Sequence, residues 1–362
     1  MEHDAAHGPC PPPRDSRDTS PGPQGGAPPR VWALIGPRRG DAAQVRALVA
    51  DLGLPAREIR VETNALREVP NALLGATRAL LRDPQAGLVP PWPELVVGIG
   101  RRTVPLARWI RARSGGRTRL IHLGRPRAPL GAFDTVLSTA QYALPPAPGV
   151  VMLALPWQAP LSEPPASGPA RHVVAVLGGD SWSVRLTGAT VDALVARARA
   201  AARARGLPLV ATTAPRTPPA LAARLAAALG PDERLYDWAA AEGRDNPYRA
   251  DLAGAGEIVT TGDSASVLAD AAWTGRPVTV IPAPERAWLG ALARFGGAPA
   301  RLWRRRGGNL GLGAPPPDLG ALLDGLAARG LARFEPDGAC RIAPCRPALE
   351  AERRAVLARL GA

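Results

Sequence analysis

Short apolar runs alternate with amphipathic stretches along most of this chain. Residues 31–35, 57–61, 95–99, 119–123 and 135–138 read as strands, separated by helical patterns at 41–52, 71–82 and 103–114. The alternation restarts after residue 170. Strands at 173–177, 209–212, 234–237, 257–261 and 278–281 are interleaved with helices at 187–205, 218–229, 247–254 and 264–274. Helices are also predicted at 287–295, 319–329 and 348–360, around a Gly/Pro loop at 307–317. Strand and helix in strict turn are the pattern of a parallel sheet wrapped by helices. Between the two runs lies PWQAPLSEPPASGP, which lacks periodicity and reads as a linker. The chain therefore divides into a tail (1–29), a first domain (30–155), a linker (156–170), a second domain (171–300) and a C-terminal region of loop and helices (301–362). Two Rossmann-like, doubly wound α/β domains facing a cleft are expected.

Small polar residues follow several of these strands. In IVTTGDSASVLADAAWTGRPVTVIP (258–282), one complete βαβ unit, Asp263, Ser264 and Ser266 sit where a strand gives way to a helix N-terminus. Unpaired N–H groups and the helix dipole favour a bound anion there. Asp270 lies further along the same helix. Gly178, Gly179, Asp180 and Ser181 follow a buried strand in the same way, and two glycines let a backbone or a phosphate approach closely. Two such turns in one half of the chain suggest one shared nucleotide pocket, although either turn alone fits an ordinary βα loop. Thr213 and Arg216 follow the next strand, where a guanidinium can clamp a phosphate.

In the first domain, Gly36 and Gly40 permit a tight turn, with Asp41 as N-cap of the next helix and Gln44 one turn on. Asp41 is a catalytic candidate on the side that would contact the acceptor, with a plain capped helix start as the competing reading, and Gly40, Gln44, Arg101 and Arg102 would bind an anionic group or the acceptor. Gly98-Ile99-Gly100 lacks the third glycine of a dinucleotide fingerprint, and a nicotinamide enzyme is not expected. His122 is the imidazole available as a base on that side, with a satisfied structural histidine as the competing reading.

Composition narrows the partners. The net charge is +14, yet all 45 basic residues are arginine, and 42 Pro and 39 Gly accompany them, which points to coding bias rather than a selected basic face. The dense cluster RLWRRR (301–306) lacks interleaved aromatics, so nucleic acid is not expected. Three cysteines without a CxxC pair give no disulfide framework or metal site. No apolar run reaches a membrane-spanning length, and the N-terminus lacks a signal core, so a cytoplasmic chain is expected. Peripheral attachment at the inner membrane is an alternative, offered by the arginine-rich surface and by Leu73, Leu74, Leu80 and Leu81 of the 71–82 helix. Core packing is the competing role for those leucines.

As an ordered set, GxxxGDxxQ at 36–44, ELVVGIGRRTVPLAR at 94–108, GRPRAPLGAFDTVL at 124–137, LGGDS at 177–181, TTAPRTP at 212–218, NPY at 246–248 and TTGDSASVLADAAWTGRPV at 260–278 carry a resemblance. The chain resembles the mitochondrial-fission (elongated-mitochondria) family, in the form of a bacterial member. That family in turn resembles GT-B glycosyltransferases. The resemblance implies a nucleotide-sugar pocket on the second domain formed by Gly178, Gly179, Asp180, Ser181, Thr213, Arg216, Asp263, Ser264 and Ser266. Asp270 stands where GT-B enzymes carry an acidic residue for the ribose hydroxyls. It also implies an acceptor on the first domain and no metal or bound cofactor. A metal-independent glycosyltransferase and a non-catalytic adaptor that keeps the fold are the two functions it leaves open.

Overall fold

The fold is described from a computed structural model over residues 29–84, 87–161, 169–181, 183–241, 245–286 and 317–361. The tail up to residue 28, the predicted helix at 287–295, the RLWRRR cluster and part of the linker lie outside the described residues. The first sheet holds β1 (Val31–Ile35), β2 (Ala56–Arg60), β3 (Leu95–Ile99), β4 (Arg119–Leu123), β5 (Thr135–Thr139) and β6 (Val150–Leu153), in the order β2-β1-β3-β4-β5-β6. All of its pairings are parallel. The second holds β7 (His172–Leu177), β8 (Leu209–Thr213), β9 (Arg234–Tyr236), β10 (Ala255–Thr261), β11 (Val278–Ile281), β12 (Ala332–Phe334) and β13 (Cys340–Ile342), in the order β12-β13-β11-β10-β7-β8-β9. Chain order reverses between β1 and β3 in one sheet and between β7 and β10 in the other. Such reversals open a crevice beyond the carboxyl ends of the strands.

Both central strands are buried along their whole length, as strands covered on two faces must be. On the first sheet, Val45 and Leu48 of α1 (Arg39–Leu52) cover one face, and Val104, Leu106 and Ile110 of α3 (Val104–Arg113) cover the other. On the second, α4 (Gly188–Arg205) packs one face through Leu194 and Val195. The opposite face is filled by Leu268 and Ala272 of α7 (Ala265–Trp273) and Leu322 and Leu326 of α8 (Leu319–Ala328). Two doubly wound α/β domains facing a cleft result, the GT-B-like arrangement the resemblance implies.

The last helix, α9 (Arg346–Leu360), joins the two domains: Leu349 enters the second core, whereas Val356 and Leu360 enter the first. At its middle, the Arg353 guanidinium lies 5.0 Å from the Trp157 ring centre and 5.4 Å from that of Trp273. Arg353 also pairs with Asp51 of α1, which accepts a 2.8 Å hydrogen bond from Trp157 Nε1. One cation thus ties α1, the start of the linker, α7 and α9 together. Arg353→Ala is expected to lower folding stability by about 2 kcal/mol, because it deletes two cation–π contacts and strands Asp51. Urea denaturation of the full chain would measure this.

Three sequence expectations need correction. The 71–82 helix is only a single turn, α2 (Asn71–Leu74). It stops at Gly75 (φ 63°), and the Asn64 side chain donates to the carbonyls of Ala79 and Leu81, holding the rest as a turn. Leu80 and Leu81 are buried while Leu73 is 76% exposed, so there is no amphipathic helix to lie on a membrane. Second, β6 adds an edge strand that the short, Pro-flanked segment at 150–153 did not reveal. Third, the C-terminal region contributes β12 and β13, an antiparallel pair turned at Gly338 (φ 82°), which extends the second sheet beside β11. Among the described residues, no helix is long and apolar enough to cross a membrane.

Candidate functional site

The turns after β7, β8 and β10 meet over one end of the second sheet. Their centre is Asp263, whose side chain is fully buried. Its Oδ2 accepts from Gly179 N at 2.9 Å and its Oδ1 accepts from Thr261 Oγ1 at 2.6 Å, while Thr261 Oγ1 itself accepts from Gly178 N at 2.9 Å. Arg216 reaches Asp263 Oδ2 at 3.4 Å and donates to the Asp180 carbonyl at 2.7 Å. Burial raises the Asp263 carboxyl above its ordinary range, against the opposing pull of these hydrogen bonds and of Arg216.

The two glycines are therefore required by the protein itself. A Cβ on Gly178 would lie 1.9 Å from Asp263 Oδ1, and one on Gly179 would lie 2.2 Å from the carbonyl of Arg216. Their N–H groups already have partners, and of the two approaches such glycines permit, backbone or phosphate, the backbone of Arg216 makes the one seen at Gly179. Asp180 Oδ1 accepts from Leu186 N, Ser181 Oγ accepts from Val184 N, and Thr213 Oγ1 bonds Asp237 and Trp238 N. These residues fasten the corner together. Arg216 remains half exposed at its edge.

What the fastened corner presents outward is the start of α7. Ser264 is its N-cap and makes no side-chain cap bond, and the first intrahelical amide to pair is Leu268 N, to Ser264 O. The N–H groups of the first turn are thus left for a ligand or solvent. Ser266 lines an interdomain cavity of about 120 Å³. A water needs roughly 10–15 Å³ on this scale, so the space suits a group about the size of a sugar ring. Across the cavity stands the first turn of α1. A Cβ added to Gly40 would be 3.8 Å from Ser266 Oγ, so two helix N-termini converge here.

Asp41 and Gln44 line the same cavity. Asp41 is not an N-cap: the helix begins at Arg39, which puts Asp41 in its first turn. Burial raises its carboxyl above the ordinary range, partly offset by Arg38. Sequence reasoning missed the end of β5 and the turn that follows it. Ser138 and Thr139 are 1% and 2% exposed, line the cavity, and have hydroxyls with no hydrogen-bond partner. Gln141 and Tyr142 line it too, and burial pushes the Tyr142 phenol up to about 12. The signal was available, since Ser138-Thr139-Ala140-Gln141 is a polar strand end running into a turn, close in kind to the 178–181 and 262–264 turns.

Asp270 lies one turn beyond Ser266, on the same face of α7. Burial pushes its carboxyl up to about 6, and Tyr248 Oη donates to it at 3.2 Å. His122 sits elsewhere. Its neighbour Leu123 lines the cavity, and strand alternation turns His122 to the opposite face, against Phe133 at 5.3 Å between ring centres. Buried there, its pKa falls to about 3 and Nε2 has no partner, which gives the imidazole no route to a cleft ligand. Arg101 and Arg102 lie beyond β3, with Arg101 paired to Glu68 at 3.2 Å. Among the described residues, no three His, Cys, Asp or Glu side chains converge as metal ligands.

The chain is similar, at a distance, to several solved structures. The S. aureus MnaA–UDP co-structure covers 81% of this chain and 93% of its own, at 12% identity and a TM-score of 0.43. The Neisseria meningitidis UDP-GlcNAc 2-epimerase bound to UDP-GlcNAc covers 83% and 99%, at 10% identity and a TM-score of 0.40. These are distant likenesses. A Rickettsia prowazekii relative, "Uncharacterized protein RP120", is 30% identical over 112 residues, a match spanning 30% of either chain. The family model described as mitochondrial fission ELM1 matches residues 39–141 and 153–295, more than half of the chain and both domains, and the protein belongs to that family.

Proposed function

We propose that this protein binds a nucleotide-sugar in the cleft and transfers its glycosyl group, without a metal, to an acceptor held on the first domain. The observation that carries the reading is the cavity itself. Ser138 and Thr139, whose buried hydroxyls have no partner, and Asp41, whose carboxyl is raised by burial, line the same cavity as Ser266 in the first turn of α7. Buried polar groups without partners are costly, and their concentration at one cavity points to a polar ligand that completes them.

In this reading the donor diphosphate lies at the α7 N-terminus, with Arg216 at its edge and Asp270 on the ribose hydroxyls. The acceptor oxygen attacks the anomeric carbon as the bond from that carbon to the phosphate oxygen breaks. The electron pair leaves with the diphosphate, whose new charge the helix N–H groups offset. Asp41 takes the acceptor proton, its raised pKa bringing it closer to the working range of a general base. A panel of UDP-, GDP- and ADP-sugars tested by thermal shift is expected to contain at least one that raises the melting temperature by several degrees. A flat panel would remove the donor reading.

One observation favours a second reading, a non-catalytic adaptor of the fission family. The Gly178 and Gly179 amides and the Thr213 hydroxyl are engaged within the protein rather than left for a donor. Sugar transfer by the pure protein would exclude this reading. A stoichiometric protein partner without turnover would favour it.

A further inference from the structure

The crevice at the β1/β3 reversal of the first sheet holds a concentration of arginines that the donor site does not use. Arg38 follows β1, Arg101 and Arg102 follow β3, Arg127 follows β4, and Arg67 lies on the 3-10 turn at Ala65–Glu68 beside them. Among the described residues, Glu68 is the one carboxylate in ion-pair contact with any of the five, shared by Arg67 at 2.9 Å and Arg101 at 3.2 Å. No ion pair involves Arg38, Arg102 or Arg127 among the described residues.

This crowding is built in. The Asn71 side chain, 3% exposed, donates to the Arg101 carbonyl at 3.0 Å and the Pro126 carbonyl at 3.1 Å, clamping the β3 and β4 loops together. Arg127 adopts the left-handed backbone (φ 53°), uncommon for a side chain of its size. Burial first and then the neighbouring arginines lower the pKa of both Arg102 and Arg127, against an opposing pull from Glu68 on Arg102 and from Tyr142 on Arg127. Arg38 also acts on Asp41 and on Tyr142, which places the cluster at the margin of the cleft cavity.

We infer that this arginine crevice is a receptor for a phosphate or diphosphate group carried by the second substrate, the acceptor. The inference rests on the reading that the first domain faces the acceptor, and it specifies that acceptor's chemical class. Arginines on four neighbouring loops match the several oxygens of a phosphoryl group better than they match a single carboxylate. The phosphate can come from a soluble phosphorylated molecule or from a lipid headgroup. Leu66 and Leu73, exposed at 40% and 76% on the same short segment as Arg67, are where a lipid chain would rest.

The test is calorimetric titration of inorganic pyrophosphate into the full chain. Binding is expected to weaken at least tenfold in the Arg102→Ala/Arg127→Ala double variant and to be unchanged in Arg354→Ala, an exposed control on α9. Equal binding by the double variant and the wild type, or no binding by either, overturns the inference. If the double variant fails to fold, Arg102→Ala alone should weaken binding about threefold, and wild-type affinity there overturns the inference equally. A second arm sediments the chain with phosphatidylcholine vesicles, with and without phosphatidylglycerol. Capture by the anionic vesicles alone, lost in Leu73→Ser with pyrophosphate affinity unchanged, assigns the phosphate to a lipid. Pyrophosphate binding without capture assigns it to a soluble acceptor. Nucleotide-sugar binding is measured separately on the double variant and should persist. A wild type that binds pyrophosphate through these arginines but no nucleotide-sugar would sink the donor reading and leave this site standing.

Discussion

Gly179→Ala is expected to lose at least about 3 kcal/mol of folding stability, read as a lowered urea midpoint or as failure to accumulate in soluble form. The added methyl would sit 2.2 Å from both the carbon and the oxygen of the Arg216 carbonyl and 2.6 Å from Thr217 N. These are backbone atoms, and no rotamer change moves them aside. The β8 turn would have to back away from the β7 turn. That retreat opens the hydrogen bonds from Arg216 to Asp263 and to the Asp180 carbonyl, together with those from Thr217 Oγ1 to the carbonyls of Leu177 and Gly178. Leaving a buried carboxylate short of donors adds a desolvation cost to the steric one. Gly36→Ala provides the contrast. Its Cβ would have nothing within 4 Å and its φ is not positive, so stability should change by less than about 0.5 kcal/mol or rise slightly.

Asp270→Asn should move stability and binding in opposite directions. Burial raises this carboxyl from 3.8 to about 6, so the fold favours its protonated form. The sign follows by linkage. The group's contribution to stability is fullest below about pH 4 and is lost as pH rises through about 6. At pH 7.5 the wild type carries a desolvated carboxylate beside Tyr248. Asparagine removes that charge and still accepts from Tyr248 Oη, so the unliganded variant should melt a few degrees higher. If the ionised carboxylate holds the ribose hydroxyls, the same change should weaken nucleotide-sugar affinity about 30- to 100-fold. Wild-type affinity should also fall, by up to about tenfold per unit, as pH drops below 6, while the variant stays flat over that range. A higher melting temperature with unchanged affinity would confine Asp270 to a packing role.

Much of the architecture was legible because parallel strands buried on both faces leave a strong imprint. The 258–282 stretch appears as β10, α7 and β11 with boundaries shifted by a few residues at most. The misses have physical causes. The three-residue strands β12 and β13 are too short to show a period. Leucines at 73, 74, 80 and 81 suit a helix, but the breaks from Gly75 onward do not, and tertiary bonds from Asn64 decide the outcome. At the candidate site, position was readable and role was not. Glycines at 178 and 179 signal a close approach; that the approaching atoms belong to Arg216 and Asp263 depends on a packing of three turns that local pattern does not encode. For His122, the parity of its strand already set it apart from Leu123. The Ser138–Tyr142 segment shows the reverse case, a polar strand end and turn without the glycines that mark its counterparts.

Hydrogen–deuterium exchange of the full chain, with and without the nucleotide-sugar giving the largest thermal shift, tests the cleft assignment most directly. Ligand bound as proposed should slow exchange together at residues 264–267, in the first turn of α7, and at 138–142, the end of β5 and the turn beyond it. Protection confined to other surfaces, or exchange at both segments unaltered by a saturating ligand, would contradict it.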